Sequence, residues 1–165
     1  MTHEITLRLA VQEDIPEIIS LYTETVLTVC SPDYNAGQLN AWASLGEDRA
    51  RWTQRITTQY FLVAETDNKI TGFASLGAEN YLDVFYVSKA MQRKGVARCL
   101  YRAIAAKAAT HPEWPISADV SITARSFFEH YGFKVIAQQE KLLEGLVIVN
   151  YKMKKLPPFS GEIKK

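Results

Sequence analysis

The chain has 165 residues, 47% of them hydrophobic and 22% charged, which is long enough for one well-buried domain and too short for two ordinary ones. With 19 basic and 18 acidic residues the formal net charge is +1, so no strong overall field is available to attract nucleic acid or an anionic membrane. No apolar run approaches the ~20 residues of a membrane span, and the two cysteines match no pairing motif, so we expect no membrane partner, no nucleic-acid partner and a place in the reducing cytoplasm.

The N-terminal third is predicted to be a strand followed by helices. Apolar and polar side chains alternate over residues 5–9, as they do in a half-buried strand. Two acidic residues then precede apolar side chains that recur at helical spacing from Ile15 to Val26. After a break at Pro32, the pattern indicates two short helices. The predicted elements are a strand at 5–9, a helix reaching about residue 26, and helices at 35–43 and 47–57.

Hairpin-linked strands and two further helices are predicted in the rest of the chain. Polar residues 67–69 form a tight turn between two apolar runs. Gly132 stands where a helix C-terminus takes the left-handed conformation. The predicted elements are strands at 60–64, 70–76, 81–87 and 116–120, helices at 93–109 and 124–131, and a closing hairpin of 134–142 and 146–153.

Helices interspersed with mostly hairpin-linked strands predict an α/β fold of the α+β type. We expect one mixed, mostly antiparallel central sheet that is covered by helices on both faces. Residues 1–155 are assigned to this single domain. Residues 156–165 follow no periodicity, so they are predicted to be a flexible tail.

The junction between the strand at 81–87 and the helix at 93–109 is the most informative part of the sequence. Amides at a helix N-terminus lack intrahelical acceptors and lie at the positive end of the dipole, so such a junction is suited to an anion. Gly95 has no Cβ, which leaves room for ligand oxygens beside the backbone. Lys94-Gly95 reverses the order found in a nucleoside-triphosphate loop, and a dinucleotide fingerprint needs three glycines, so neither site is predicted. The expected anion is a pyrophosphate.

Three motifs in a fixed order indicate a family. Gln92, Gly95 and Ala97 fit the pattern Gln/Arg-x-x-Gly-x-Gly/Ala. Tyr86-Val87 closes the strand before this pattern, and Gly132-Phe133 ends a short helix after it. With these motifs the chain resembles the GNAT superfamily of acyl-CoA-dependent N-acyltransferases over nearly its whole length. The resemblance implies a sheet that splays between its fourth and fifth strands to hold acetyl-CoA.

The resemblance also implies where the cofactor is held. Backbone groups of one strand should contact the pantetheine arm of acetyl-CoA, and the amides that follow this strand should hold the pyrophosphate. For the basic side chains of Arg93 and Lys94, a solvated helix face is an equally good interpretation. The residues expected at the cofactor are Phe85, Val87, Gln92, Arg93, Lys94, Gly95, Val96, Ala97, Ser121 and Phe128.

The general acid usual in the family is missing. Many members place a tyrosine five residues before the Phe of the Gly-Phe motif, where its hydroxyl protonates the leaving sulfur, and this chain has Phe128 there. Ser121 replaces a frequent asparagine, and it keeps a hydroxyl that is suited to capping the following helix. Tyr131, on the same helical face as Phe128, is the remaining candidate acid. Its position in an apolar stripe favours packing instead.

Asp83 is the candidate base. Strict alternation along the strand puts Asp83 on the same face as Tyr81, Phe85 and Val87, toward the expected cofactor. A carboxylate in that place takes a proton from the acceptor amine. The alternative is an aspartate that is hydrogen-bonded to a neighbouring helix.

Aromatic residues are expected to wall the acceptor pocket, because the family uses its N-terminal helical section for this purpose. Such rings suit an apolar or cationic amine. Core packing is the alternative for a tryptophan taken singly. The candidates are Tyr22, Cys30, Tyr34, Trp42 and Tyr81.

The sequence thus predicts an N-acetyltransferase that moves the acetyl group of acetyl-CoA directly to a primary amine of a small molecule or a protein. Phe128 leaves open a second interpretation, a regulatory domain that binds acyl-CoA with little turnover. The three histidines are scattered along the chain, so neither a metal site nor a Ser-His-Asp arrangement is predicted. The closing hairpin suits pairing within the sheet or with a second copy, so both a monomer and a homodimer stay open.

Overall fold

The computed structural model describes residues 4–159. The strands in this range are β1 (Thr6–Leu9), β2 (Tyr60–Thr66), β3 (Lys69–Leu76), β4 (Tyr81–Val87), β5 (Ile116–Ser121), β6 (Lys134–Leu143) and β7 (Leu146–Lys155). The α-helices are α1 (Ile15–Thr28), α2 (Ala36–Ser44), α3 (Arg49–Thr58), α4 (Val96–Ala108) and α5 (Arg125–His130). These elements match the predicted ones to within a few residues. The helix predicted from residue 93 begins later because residues 92–95 form a loop.

Side-chain caps fix where the second and third helices begin. Asn35 accepts a hydrogen bond from the Gln38 amide, and the Gln38 side chain accepts one from the Asn35 amide, each at 2.9 Å. This reciprocal pair satisfies two amides that the helix leaves without acceptors. Asp48 caps α3 in the same way by accepting from the Arg51 amide at 3.2 Å. Both helices therefore start where the local sequence supplies an acceptor.

The strands form one sheet in the order β1-β2-β3-β4-β5-β7-β6. Within residues 4–159, β4 and β5 are the parallel neighbours and the other pairs are antiparallel. Leu100 and Ile104 of α4 are buried on one face, and Ile18 of α1 with Trp52 of α3 are buried on the other. The predicted mixed sheet with helices on both faces is thus confirmed. Within this range, no helix is both long and apolar enough to cross a membrane.

The sheet opens between β4 and β5. These strands pair only at Tyr81 with Ser117 and at Leu82 with Ala118. Beyond Leu82, β4 stays paired with β3 while β5 stays paired with β7. The two strands therefore diverge, as the family resemblance implied, and backbone groups along their inner edges are left without strand partners.

A β-bulge at Asp83 changes which face each β4 side chain occupies. The pairing with β3 jumps from Leu82 to Val84, so Asp83 is an extra residue. Leu82, Phe85 and Val87 pack on the α4 face, whereas Val84 packs on the face of α1 and α3. The prediction that Asp83 shares a face with Phe85 and Val87 is therefore wrong. Strict alternation fails because the bulge inserts one residue.

The chain after β7 is packed where the structure describes it. Phe159 is 2% exposed and belongs to the α4-face core. Lys155 donates to the Phe159 carbonyl at 3.2 Å and to the Tyr101 hydroxyl at 3.0 Å. This packing differs from the flexible tail expected from residue 156 onward, and residues 160–165 of that prediction lie outside the described range.

Candidate active site

A cavity of about 460 Å³ lies where β4 and β5 diverge, and its size is that of a small-molecule site. On the α4 face its wall includes Ala97, Phe127 and Phe128. On the opposite face its wall includes Tyr22 and Trp42. One space therefore passes through the sheet and joins the loop before α4 to the aromatic residues of the N-terminal helices.

The loop before α4 presents free backbone amides. Gly95 is the N-cap residue with φ +89°, and Arg93 has φ +59°. The Cys99 amide donates to the Gly95 carbonyl at 3.0 Å, which starts the helical hydrogen bonds. Within residues 4–159, no backbone carbonyl accepts from the amides of residues 93–97. Left-handed residues beside right-handed ones turn successive N–H groups to one side, which is the geometry of an anion-binding nest.

The space in front of this loop is open. Among the described atoms, the one nearest to a Cβ built on Gly95 is Ile5 Cδ1, at 4.0 Å. The side chains of Arg93 and Lys94 are exposed beside the free amides, so positive charge is available there. A diphosphate, with several oxygens and negative charge, fits these donors.

Gln92 was expected at the cofactor, but its side chain bonds to the backbone at the end of β4. Its side-chain Nε2 donates to the Val87 carbonyl at 2.7 Å and reaches the Ser88 carbonyl at 3.4 Å. Its amide donates to the Lys89 carbonyl at 3.4 Å. Gln92 therefore ties the loop to the end of β4, and the free amides begin one residue later.

The inner edge of β4 directs backbone groups into the cavity. The Ser88 amide donates to the Thr71 carbonyl, on the β3 side, at 2.9 Å. Because successive residues of a strand turn their amides to opposite sides, Phe85 and Val87 direct theirs away from β3, toward the opening. This is the arrangement expected for a contact with an amide-bearing arm, which pairs with a strand edge.

Ser121 and Phe128 both line the cavity. The Ser121 hydroxyl accepts a hydrogen bond from the Ala124 amide at 3.1 Å, so it stabilises the turn into α5. This is the capping role that the sequence analysis expected beside a contact with the cofactor. Phe128 is 4% exposed, and its ring centroid lies 5.8 Å from that of Phe85 and 5.1 Å from that of Phe133. No hydroxyl is available at the position of the family's usual acid.

Tyr131 is not part of the cavity wall. It is 4% exposed, and its ring centroid lies 4.3 Å from that of Tyr101 and 4.9 Å from that of Phe127. Its apolar neighbours draw it into the core of the α4 face. The structure thus removes Tyr131 as a candidate acid, in line with the packing alternative.

The five residues expected at the acceptor pocket all line the cavity, on the face of α1 to α3. The Tyr22 hydroxyl donates to the Trp42 carbonyl at 3.0 Å. The Tyr34 hydroxyl donates to the Val149 carbonyl at 2.7 Å, and its ring centroid lies 5.4 Å from that of Trp42. These bonds leave ring surfaces to face the cavity.

Cys30 belongs to the same wall and is buried. Burial raises the pKa of its thiol to about 11, so the thiol stays protonated near neutral pH and is a poor nucleophile. Within residues 4–159, no three His, Cys, Asp or Glu side chains are grouped as a metal site requires. Cys30 is therefore a wall residue.

The Asp83 carboxylate is held by one of its two oxygens. Oδ2 accepts from Arg55 Nε at 2.9 Å and from Gln59 Nε2 at 2.9 Å. Arg55 in turn stacks over the Trp52 ring, 4.8 Å from its centroid. Among the described residues, none donates to Oδ1. The expected alternative, a hydrogen bond to a neighbouring helix, is what the structure shows, and it leaves the second oxygen of this cavity residue available.

The structure adds a tyrosine and an aspartate that the sequence analysis missed. Tyr86 and Asp119 line the cavity, and the Tyr81 hydroxyl donates to Asp119 Oδ2 at 3.2 Å. Burial raises the pKa of both Tyr81 and Tyr86. The motif Tyr86-Val87 was a signal for the first of them, since alternation puts Tyr86 on the face opposite Phe85 and Val87.

Arg51, Arg55 and Lys141 of the cavity wall were also missed. They come from α3 and β6, which are distant in sequence from β4. The spacing of Arg51 and Arg55, four residues apart, places both on one helical face. That spacing indicated two arginines on one face of a helix, but the sequence did not indicate that this face of α3 lies against β4.

Comparisons with known proteins agree on one family. A model described as an acetyltransferase (GNAT) domain matches residues 30–155. The uncharacterized N-acetyltransferase YafP of Escherichia coli (strain K12) is 30% identical over 144 residues, which is 87% of this chain and 91% of that protein.

Two solved structures show the same fold. A GCN5-related N-acetyltransferase from Rhodopseudomonas palustris superposes with a TM-score of 0.88 at 25% identity, over 94% of this chain and 98% of that one. The PaiA N-acetyltransferase from Thermoplasma acidophilum, solved in complex with coenzyme A, has a TM-score of 0.73 at 20% identity, over 93% of this chain and 99% of that one.

Proposed function

The chain belongs to the GNAT family of acetyltransferases, and on that premise we propose that it transfers the acetyl group of acetyl-CoA directly to a primary amine. The observation that carries the proposal is the cavity through the sheet. It joins a loop with free amides to a chamber that holds an oriented carboxylate. Donor and acceptor therefore have separate entrances to one reaction space.

The residues of the loop suit the donor. The free amides of residues 93–97 and the exposed Arg93 and Lys94 match a diphosphate. The amides of Phe85 and Val87 match the amide-bearing arm that follows it. When bound, acetyl-CoA supplies a thioester whose acetyl carbon is the electrophile.

Asp83 prepares the acceptor. An alkylammonium has a pKa near ~10.4 and must lose a proton before its nitrogen attacks. Asp83 Oδ1 accepts that proton, directly or through one water, while Arg55 and Gln59 hold Oδ2 in place. The neutral nitrogen attacks the acetyl carbon, and the new carbon–nitrogen bond forms as the carbon–sulfur bond breaks. The nitrogen then loses a second proton to water, and the proton that Asp83 received also passes to solvent. The products are the acetylated amine and the thiolate, which takes back one of these two protons.

The leaving thiolate needs little help. Thiols have pKa values near ~8.5, so a thiolate departs without a strong acid, and it takes a proton from solvent. Phe128 supplies no proton, but its ring closes the cavity beside Phe85. Positioning of donor and acceptor in one space supplies most of the acceleration in this proposal.

A thiol-release assay tests the proposal. The full chain is incubated with acetyl-CoA and a panel of primary amines, and free thiol is followed with a thiol-reactive dye. Release that depends on the amine, with the acetylated amine found by mass spectrometry, supports the proposal.

Phe128 favours a second function, a regulatory domain that binds acyl-CoA, because it stands where relatives carry an acid. Calorimetric binding of CoA, together with the lack of amine-dependent release across the whole panel, would favour this second function over the first.

A further inference from the structure

The acceptor side of the cavity has one more positive than negative side chain. Its charged wall residues are Arg51, Arg55, Asp83, Asp119 and Lys141. Arg55 pairs with Asp83 at 2.9 Å, and Lys141 lies 3.7 Å from Asp119. Within residues 4–159, the Arg51 guanidinium makes no ion pair or hydrogen bond. Arg51 is an exposed residue that lines this cavity, and an unpaired cation at a concave wall attracts an anion, because a cleft focuses the field.

Arg51 is close to the proposed reaction centre. It lies four residues before Arg55, so the two share one face of α3 and are neighbours, about 5–6 Å apart at Cβ. Arg55 holds the Asp83 carboxylate. Burial raises the pKa of Tyr81, and the positive charge of Arg51, which lines the same cavity, opposes this rise. Arg51 and the arginine that holds Asp83 thus lie one helical turn apart, and both line the cavity.

Most of the other residues of this chamber are aromatic or aliphatic, and Thr25 and Asn150 also line it. The hydroxyls of Tyr22 and Tyr34 donate to backbone carbonyls of the protein, and Trp42 adds a third ring to the wall. Leu45 and Ile148 add aliphatic surface. A ligand that reaches the guanidinium and the carboxylate therefore places its remaining atoms against hydrophobic side chains, which is favourable only for an apolar or aromatic group.

From these three observations we propose that the acceptor is a free α-amino acid with an aromatic or large aliphatic side chain. Its ammonium group faces Asp83 Oδ1, its carboxylate binds Arg51, and its side chain fills the chamber of Tyr22, Tyr34 and Trp42. The inference rests on the proposed acetyl transfer and names its substrate class. An α-amino acid carries both charged groups on one carbon, which suits a wall where Arg51 lies one helical turn from the arginine that holds Asp83.

This assignment separates acceptors that share the same amine. A simple alkylamine has no anion for Arg51, and the N-terminal residue of a protein has an amide in place of the carboxylate. Hydrogen bonds to charged groups are strong enough that loss of this contact lowers kcat/KM by about 10- to 100-fold. A free amino acid is therefore preferred over its own amide.

The experiment compares three acceptors with the full chain and acetyl-CoA: L-phenylalanine, L-phenylalaninamide and phenethylamine. The expected result is a kcat/KM for L-phenylalanine about 10-fold or more above the values for the other two. In Arg51→Ala, the ratio of L-phenylalanine to L-phenylalaninamide falls toward one. Arg49→Ala is the matched control, because Arg49 is an exposed residue of the same helix outside the cavity wall, and it keeps the wild-type ratio.

A binding measurement separates this inference from the proposed function. L-phenylalanine is titrated by calorimetry into the protein saturated with CoA, for wild type, Arg51→Ala and Arg49→Ala. The substrate class is supported if L-phenylalanine binds the wild type and Arg49→Ala equally well and binds Arg51→Ala more weakly. This holds even if no amine releases thiol, because that result would contradict only the proposed acetyl transfer. Equal or better use of the amide or of phenethylamine, or a ratio that Arg51→Ala leaves unchanged, overturns the inference while acetyl transfer stands.

Discussion

At the scale of single residues, the site depends on how Asp83 is held. Arg55 and Gln59 fix one carboxylate oxygen and leave the other to the cavity. As the proposed base, Asp83 needs no reorientation when the acceptor arrives, and general-base catalysis contributes about 10²- to 10⁴-fold to a rate. The same two contacts explain why the aspartate is tolerated beside the aromatic core.

Asp83→Asn is expected to lower kcat by about 10²- to 10⁴-fold. The amide keeps the size of the side chain but accepts no proton, so the amine stays charged. CoA affinity by calorimetry should stay within about twofold of wild type, because the loop of residues 93–97 is untouched. Glu24→Gln removes a carboxylate from the exposed side of α1 and serves as the control. Wild-type turnover in the D83N variant would remove Asp83 from the mechanism.

Gly95→Glu is expected to abolish CoA binding. The new side chain would fill the open space in front of the free amides and bring a negative charge toward the diphosphate site, and φ +89° strains any other residue. Gly145→Glu is the matched control, since this glycine has φ +77° and open surroundings but lies in the β6–β7 turn. Calorimetry with CoA compares the two. Equal CoA affinities in both variants would refute an anion site at this loop.

At the scale of elements, α4 sits on the sheet through a close contact at Gly72. A Cβ on Gly72 would lie 2.9 Å from Val96 Cγ1, 3.1 Å from Leu100 Cδ1 and 3.1 Å from the Tyr86 carbonyl oxygen. Any side chain there pushes α4, and with it the preceding loop of residues 92–95, away from β3 and β4. The position of the loop therefore depends on a residue of a different strand.

Gly72→Ala is expected to lower the free energy of unfolding by about 1–3 kcal/mol, the usual cost of overpacking a core. It should also weaken CoA binding, because the start of α4 shifts. Chemical denaturation and calorimetry measure the two effects. Gly77→Ala is the comparison for unfolding and CoA affinity, since its Cβ would meet the Gln59 side chain at 3.2 Å and no atom of α4 among the nearest atoms. If both variants unfold at the wild-type denaturant concentration, the contact at Gly72 is not tight in solution.

Most elements could be predicted from the sequence because their signals are local. Capping residues such as Asn35 and Asp48, turn residues and hydrophobic periodicity each act within a few positions. The face of Asp83 could not be predicted, since a bulge depends on the pairing of β4 with β3. Arg55 and Asp119 were missed for the same reason: each meets its β4 partner across a long sequence separation. Phe159 packs against residues that are remote from it in sequence.

At the scale of the whole molecule, buried tyrosines set the alkaline limit of stability. Burial raises the pKa of Tyr22 to about 12, and burial also raises the pKa of Tyr34, Tyr81, Tyr86 and Tyr101 above the ordinary value of 10. The unfolded chain loses these protons first as the pH rises. Stability from this source is therefore fully present below about pH 10 and is lost above it.

Chemical denaturation between pH 8 and pH 11.5 should therefore show an unfolding free energy that falls from about pH 10 upward. Tyr101→Phe keeps the ring but removes one such proton, so its decline should be shallower than that of wild type. Its hydroxyl also accepts from Lys155, so the comparison rests on the slope of the decline and not on the absolute stability. A flat profile through pH 11.5 would show that these hydroxyls titrate alike in the folded and unfolded chain.

Only two residue pairs of β4 and β5 join the β1-β2-β3-β4 part of the sheet to the β5-β7-β6 part. In the proposed complex, the pantetheine arm of acetyl-CoA lies along the opening and contacts both strands. We therefore expect the protein to unfold more easily without acetyl-CoA than with it. Protease resistance and melting temperature should then rise with donor concentration, by the logarithmic law of a ligand that binds only the folded state. In a cell the acetyl-CoA supply would thus govern how long each molecule survives as well as how fast it works.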